Sequence, residues 1–200
     1  NGGEYAVAIG NETLDALTSG DNNTAVGYQA ASGLTTANNG TFIGYQAGGA
    51  GTMTGGQNTV IGALSGDALT SGSGNTVLGP YSLKGNTTGS YNTAIGSDAI
   101  RYPDTEDNNL GIGFQALGGA NIAGGENNLC VGNLSLDALT SGDNNTSIGY
   151  GSGTAITTGN ENTCLGYDAG SNITTGGSNV AIGKEALSAN TIGNSNVAIG

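Results

Sequence analysis

The densest grouping of ionisable side chains is the stretch RYPDTED, Arg101 to Asp107. Asp104, Glu106 and Asp107 could hold an ion or touch a ligand, and together with Arg101 and Tyr102 they form a candidate surface-binding loop, with a merely solvated loop as the plain alternative. The loop is expected to protrude, and Asp104 and Glu106 to be dispensable to the rest of the molecule. Other chemistry is sparse. "GDNN" recurs at Asp21 and Asp143 only, whereas a repetitive calcium roll places an aspartate in nearly every turn, so no metal is assigned. The chain has no histidine, the commonest acid-base group, and nothing locates the paired carboxylates of a glycosidase. No catalytic residue and no cofactor are expected. Cys130 and Cys164 stand at equivalent places two repeats apart, too far for a disulfide, and read as small core residues.

These residues lie in an unusual background. Forty glycines in 200 residues, three basic residues and a formal net charge of −12 fit neither collagen, with its glycine at every third place, nor a disordered polyelectrolyte. The acidity argues against nucleic acid or an anionic membrane as partner, and no apolar run reaches the length of a membrane span. Without a signal peptide or an initiating methionine, the chain reads as a fragment of a longer one.

Internal repetition supplies the organisation. LDALTSGDNNT is written identically at Leu14 to Thr24 and Leu136 to Thr146, and an aliphatic residue followed by glycine recurs at Gly10, Gly27, Gly44, Gly62, Gly79, Gly96, Gly113, Gly132, Gly149, Gly166, Gly183 and Gly200. The steps are 17 residues, except 18 before Gly62 and 19 before Gly132. Aligned on this anchor glycine, the copies show a preceding column of Ile9, Val26, Ile43, Ile61, Leu78, Ile95, Ile112, Val131, Ile148, Leu165, Ile182 and Ile199, read as the structural core. Four before the anchor stand Asn23, Asn58, Asn75, Asn92, Asn109, Asn128, Asn145, Asn162, Asn179 and Asn196. Stacked asparagines can bond amide to amide up a ladder. Glycine fills nine of eleven places seven before the anchor and is read as a bend with positive φ. Three after the anchor every residue is small.

Two bends in 17 residues leave two short strands per turn, so the fold class is all-β: a parallel β-solenoid of about twelve turns. Stacking at roughly 4.8 Å per turn gives a rod about 50 Å long. Residues 1–200 form one array, with irregular turns at 97–113 and 114–132. In NTAIG, Asn92 to Gly96, Thr93 and Ile95 share one face and Ala94 takes the other. Since neither face is polar, both want cover, and a homotrimer would provide it. Two side-chain columns are left for binding: the aromatics Tyr28, Tyr45, Phe114, Tyr150 and Tyr167, which could stack on sugars or close a core edge, and the threonines nine before the anchor (Thr18, Thr35, Thr70, Thr87, Thr140, Thr157, Thr174, Thr191), whose regular spacing suggests ice.

NSNVAIG at Asn194 to Gly200, SNVAIGKEAL at Ser178 to Leu187 and the recurrent N-T-x-I-G-Y-x-A resemble the head repeats of trimeric autotransporter adhesins. The longer form, TTGSYNTAIG at Thr87 to Gly96, is similar to repeats of bacteriophage tail fibres. The resemblance spans the whole array. It implies a trimeric, left-handed parallel β-roll at the virion surface or outside the cell, serving as shaft or adhesive head for a surface glycan or protein. The expected function is a structural and adhesive fibre segment. A monomeric ligand- or ice-binding solenoid and a glycan-cleaving tailspike are the alternatives.

Overall fold

Seventeen-residue periodicity forces each short extended segment beside its copy in the next turn, and that is how the chain is built. The computed structural model describes residues 3–49, 51–119 and 123–200; residues 120–122 of the expected irregular turn at 114–132 lie outside them. Among the described residues there are twelve strands of three residues each: β1 (Val7–Ile9), β2 (Thr24–Val26), β3 (Thr41–Ile43), β4 (Thr59–Ile61), β5 (Thr76–Leu78), β6 (Thr93–Ile95), β7 (Leu110–Ile112), β8 (Leu129–Val131), β9 (Thr146–Ile148), β10 (Thr163–Leu165), β11 (Val180–Ile182) and β12 (Val197–Ile199). They form one parallel sheet in sequence order, so the fold is an all-β parallel β-solenoid. Only one strand is made per turn, not the two expected. The rest of each turn is a chain of bends that still bond turn to turn, as in Thr18 N–H to the Thr35 carbonyl at 2.9 Å and Thr157 N–H to the Thr174 carbonyl at 2.9 Å.

Register is strict. Thr93 faces Leu110, Ala94 faces Gly111 and Ile95 faces Ile112, and the same three places pair in every neighbouring couple, including those flanking the longer turns, such as Thr41 with Thr59 and Leu110 with Leu129. The extra residues of those turns are therefore absorbed outside the sheet.

Parity within the strand decides what is inside. The asparagines four before the anchor, except Asn196 in the last turn, are buried, as are the strand-centre residues Ala25, Phe42, Val60, Val77, Ala94, Cys130, Ser147, Cys164 and Ala181. The places two apart share a face. An inward asparagine therefore puts the strand centre inside and turns the residue before the anchor outward. This corrects the core assignment. Ile9, Ile43, Leu78, Ile148, Leu165 and Ile199 are exposed, and Val26, Ile61, Ile95, Ile112, Val131 and Ile182 are only partly covered. Across the coil the core is completed by small residues three after the anchor, such as Ala30, Ser82 and Ala169, and by Leu34, Leu69, Leu83, Ile100, Leu117, Leu136, Leu139, Ile156 and Ile173. Sizes compensate within a turn. Phe42 lies where a Cβ on Gly48 would come to 2.6 Å from its ring, and Gly111 is the small partner against which Ile100 packs, a Cβ there meeting Ile100 Cγ1 at 2.7 Å.

Glycine is demanded for two different reasons. The anchor glycine has φ of +128° at Gly96 and +138° at Gly149, and a Cβ there would strike the carbonyl of the next anchor. The bend glycines, in contrast, do not show the positive φ expected of them. Gly72, Gly142 and Gly159 are needed because a Cβ would run into the carbonyl of the bend stacked on it. The left-handed conformation falls elsewhere, on side-chain-bearing residues such as Leu83 (φ 48°), Tyr91 (φ 59°), Ile100 (φ 43°) and Leu136 (φ 50°). Single residues there cost of order 1 kcal/mol or more and persist because the stacked turns over-determine them.

Candidate functional site

The asparagines form a ladder that is buried from Asn23 to Asn179 and interrupted at Gly40, but their main partners are backbone groups. Asn145 Nδ2 donates to the Gly159 carbonyl at 2.8 Å and to Asn128 Oδ1 at 3.1 Å, while its Oδ1 accepts from Asn162 N–H at 3.0 Å. The arrangement repeats at Asn58, Asn75, Asn92, Asn109, Asn128, Asn162 and Asn179, whose Nδ2 groups all reach a bend carbonyl of the next turn. Asn23 does the same with the Ala37 carbonyl, and Asn196 donates down to Asn179 Oδ1. One side chain thus satisfies a backbone donor and a backbone acceptor of the next turn, in an interior where an unpaired group costs about 1–3 kcal/mol.

A second ladder, six before the anchor, was not recognised in the sequence because its members differ. Asp21, Asn38, Asp107, Asp143, Asn160 and Asn194 each accept, through a side-chain oxygen, the backbone N–H of the equivalent residue one turn earlier, at 2.6–2.9 Å. The shared signal is an oxygen acceptor at fixed offset. It gives GDNN a structural part, since a carboxylate oxygen of Asp21 and of Asp143 is engaged by the backbone.

The stretch Arg101 to Asp107 does not protrude. Gly85 N–H donates to the Arg101 carbonyl at 2.9 Å and Thr87 N–H to the Asp104 carbonyl at 2.8 Å, so the loop stacks like its neighbours. Glu106 is only 3 % exposed. It occupies the bend place where other turns have glycine, and its carboxylate accepts from the backbone N–H groups of Asp104 (2.7 Å), Thr105 (3.0 Å) and Gly124 (2.8 Å). Its role is to close the bend, which corrects its assignment to a surface-binding loop. Replacing Glu106 with Ala leaves those donors without their acceptor and is expected to destabilise the array by about 2–4 kcal/mol. Asp104→Ala, which loses chiefly the exposed 2.6 Å bond from the Thr87 hydroxyl, should change stability little. Urea denaturation of the two variants measures the contrast, and equal stabilities would refute it.

Cys130 and Cys164 are buried and unpaired. Burial pushes their thiols up to about 12 and about 11, so neither is a ready thiolate. The threonines nine before the anchor do not present a free hydroxyl row. Thr18, Thr70, Thr140 and Thr174 each donate to the carbonyl of the next turn at 2.9–3.0 Å.

What the molecule does present is the outer face of the sheet. One column holds Thr24, Thr41, Thr59, Thr76, Thr93, Thr146 and Thr163, with aliphatics in the remaining turns, and the other is the misassigned aliphatic column. Two residues past it runs the aromatic stripe, with Tyr28 stacked on Tyr45 at 5.7 Å and Tyr150 on Tyr167 at 5.5 Å between ring centres. Tyr45 and Tyr167 are each 50 % exposed. The result is a regular strip of aliphatic, threonine and tyrosine side chains along the sheet. No protein-family model matches the chain, and neither a curated protein nor a solved structure matches it significantly.

Proposed function

We propose that the chain is a structural and adhesive segment of an extracellular fibre, of the phage tail-fibre or bacterial surface-adhesin kind, that assembles as a homotrimer through the outer face of its sheet. The observation carrying this reading is the exposed aliphatic column beside the threonines, continuous from β1 to β12. Covering a half-exposed Ile or Leu contributes about 1 kcal/mol. Six of the twelve positions are exposed and six are partly covered, together about 6–9 kcal/mol against an association cost of about 4–15 kcal/mol. A strip about 10 Å wide and 50 Å long, widened by the tyrosines, approaches the roughly 800 Å² per partner of a stable interface. Glycans or proteins of a host surface would be held by side chains off this face.

Light scattering of the segment tests the reading. A mass three times the 19.3 kDa of the chain is expected, and a monomer at micromolar concentration would overturn it. A second reading, a monomeric ice binder, is favoured by one feature: the outward threonines of β2 to β6 repeat at strand spacing on one face. It requires a monomer together with thermal hysteresis.

A further inference from the structure

Two of the chain's three basic residues, Lys84 and Arg101, occupy the same place in consecutive turns, five past Gly79 and Gly96. They converge on one aromatic ring. Lys84 Nζ lies 5.4 Å from the centre of Tyr81, the Arg101 guanidinium lies 5.4 Å from the same ring, and Arg101 also lies 4.9 Å from Tyr102. Arg101 Nη1 is held by Asp98 at 2.7 Å, which fixes the guanidinium between the two rings. Lys84 has no carboxylate within ion-pair distance among the described residues, but Asp67, at the same place one turn earlier, is near enough to feel its charge. Tyr81 and Tyr102 are 37 % and 40 % exposed. Tyr81 and Lys84 flank the buried Ser82 and Leu83, two and five past Gly79, and Arg101 and Tyr102 lie five and six past Gly96.

We infer that Tyr81, Lys84, Arg101 and Tyr102 form a subsite for a carboxylated sugar at the end of a glycan, of the uronic or sialic type. A pyranose presents one apolar face that stacks on a tyrosine ring, and its carboxylate pairs with the ammonium of Lys84 and the outer edge of Arg101. The ligand carries its charge at one place. A polyanion would have to cross the rest of a chain of net charge −12, whose field opposes it, whereas a single terminal carboxylate needs only Lys84 and Arg101, beside Asp98 and near Asp67. This inference rests on the adhesive part of the proposed function and supplies its ligand class.

The test is NMR titration of the intact segment with sialyllactose and with glucuronic acid, using lactose as the uncharged control, with light scattering on the same sample. Shifts centred on Tyr81 and Tyr102 are expected with the acidic sugars. Lys84→Gln should weaken binding about fivefold, the effect of losing an exposed ion pair. Tyr102→Ala should weaken it as well, and Lys184→Gln, which changes the third basic residue, should not. Equal binding of lactose, absence of shifts at millimolar acidic sugar, indifference to Lys84→Gln, or preference for heparin would each overturn the inference. A trimer that binds no acidic sugar defeats the ligand assignment alone, while a monomer defeats the fibre reading and leaves the sugar result to be read separately.

Discussion

Asn145→Leu is expected to lower the stability of the array by about 3–5 kcal/mol, because it strips partners from two buried backbone groups at about 1–3 kcal/mol each and weakens the amides above and below. The Gly159 carbonyl loses its 2.8 Å donor and the Asn162 N–H its 3.0 Å acceptor, while the leucine fills similar volume and opens no cavity to confuse the result. A solenoid is held by nearest-neighbour terms, so the lesion should also divide the melting transition into the turns before Asn145 and those after it. Asn145→Asp keeps the acceptor and loses the amide donors, setting a carboxylate oxygen against the Gly159 carbonyl. It should be at least as damaging at neutral pH. Circular-dichroism melting measures both, and a loss below about 1 kcal/mol, within the range of ordinary substitutions, would mean that the ladder is ornamental.

The second large effect is on assembly. Replacing Ile95 and Ile148 together with Asp should reduce the mass by light scattering from three chains to one while far-UV dichroism and amide dispersion persist. Ile148 is 38 % exposed in the single chain, so each carboxylate can reach water in the free chain, and only a partner's approach would bury it. Ala94→Asp provides the contrast. Ala94 is fully buried between Val77 and Gly111, and a charge there should abolish folding of the surrounding turns. A folded trimer of the Ile95→Asp, Ile148→Asp chain would remove the sheet face as the interface. An unfolded one would contradict its outward placement.

Particular residues show how far the sequence could be read. The anchor glycines are legible because two demands, a φ near +130° and contact with the next anchor carbonyl, leave no other residue type. The asparagine ladder is legible for a similar reason. The ladder of Asp21, Asn38 and Asp107 is hidden because an accepting oxygen can come from several residue types. Glu106 was misread because a carboxylate in a run of acidic residues looks solvated, and only the approach of three backbone N–H groups makes its burial tolerable. The left-handed Leu83 and Ile100 leave no compositional trace, since their strain is offset by stacking rather than avoided by glycine.

By itself the sequence determined the turn length, the parallel in-register stacking and which residues share a face of each strand. It did not determine which face is the interior. Alternation fixes only relative parity, and here one face is aliphatic and the other small, so composition favoured the wrong side. The tertiary structure decided it through the buried asparagines. Their amides can leave water only where bend carbonyls and backbone N–H groups of neighbouring turns wait inside the coil, and in placing them there the fold turned the isoleucines outward.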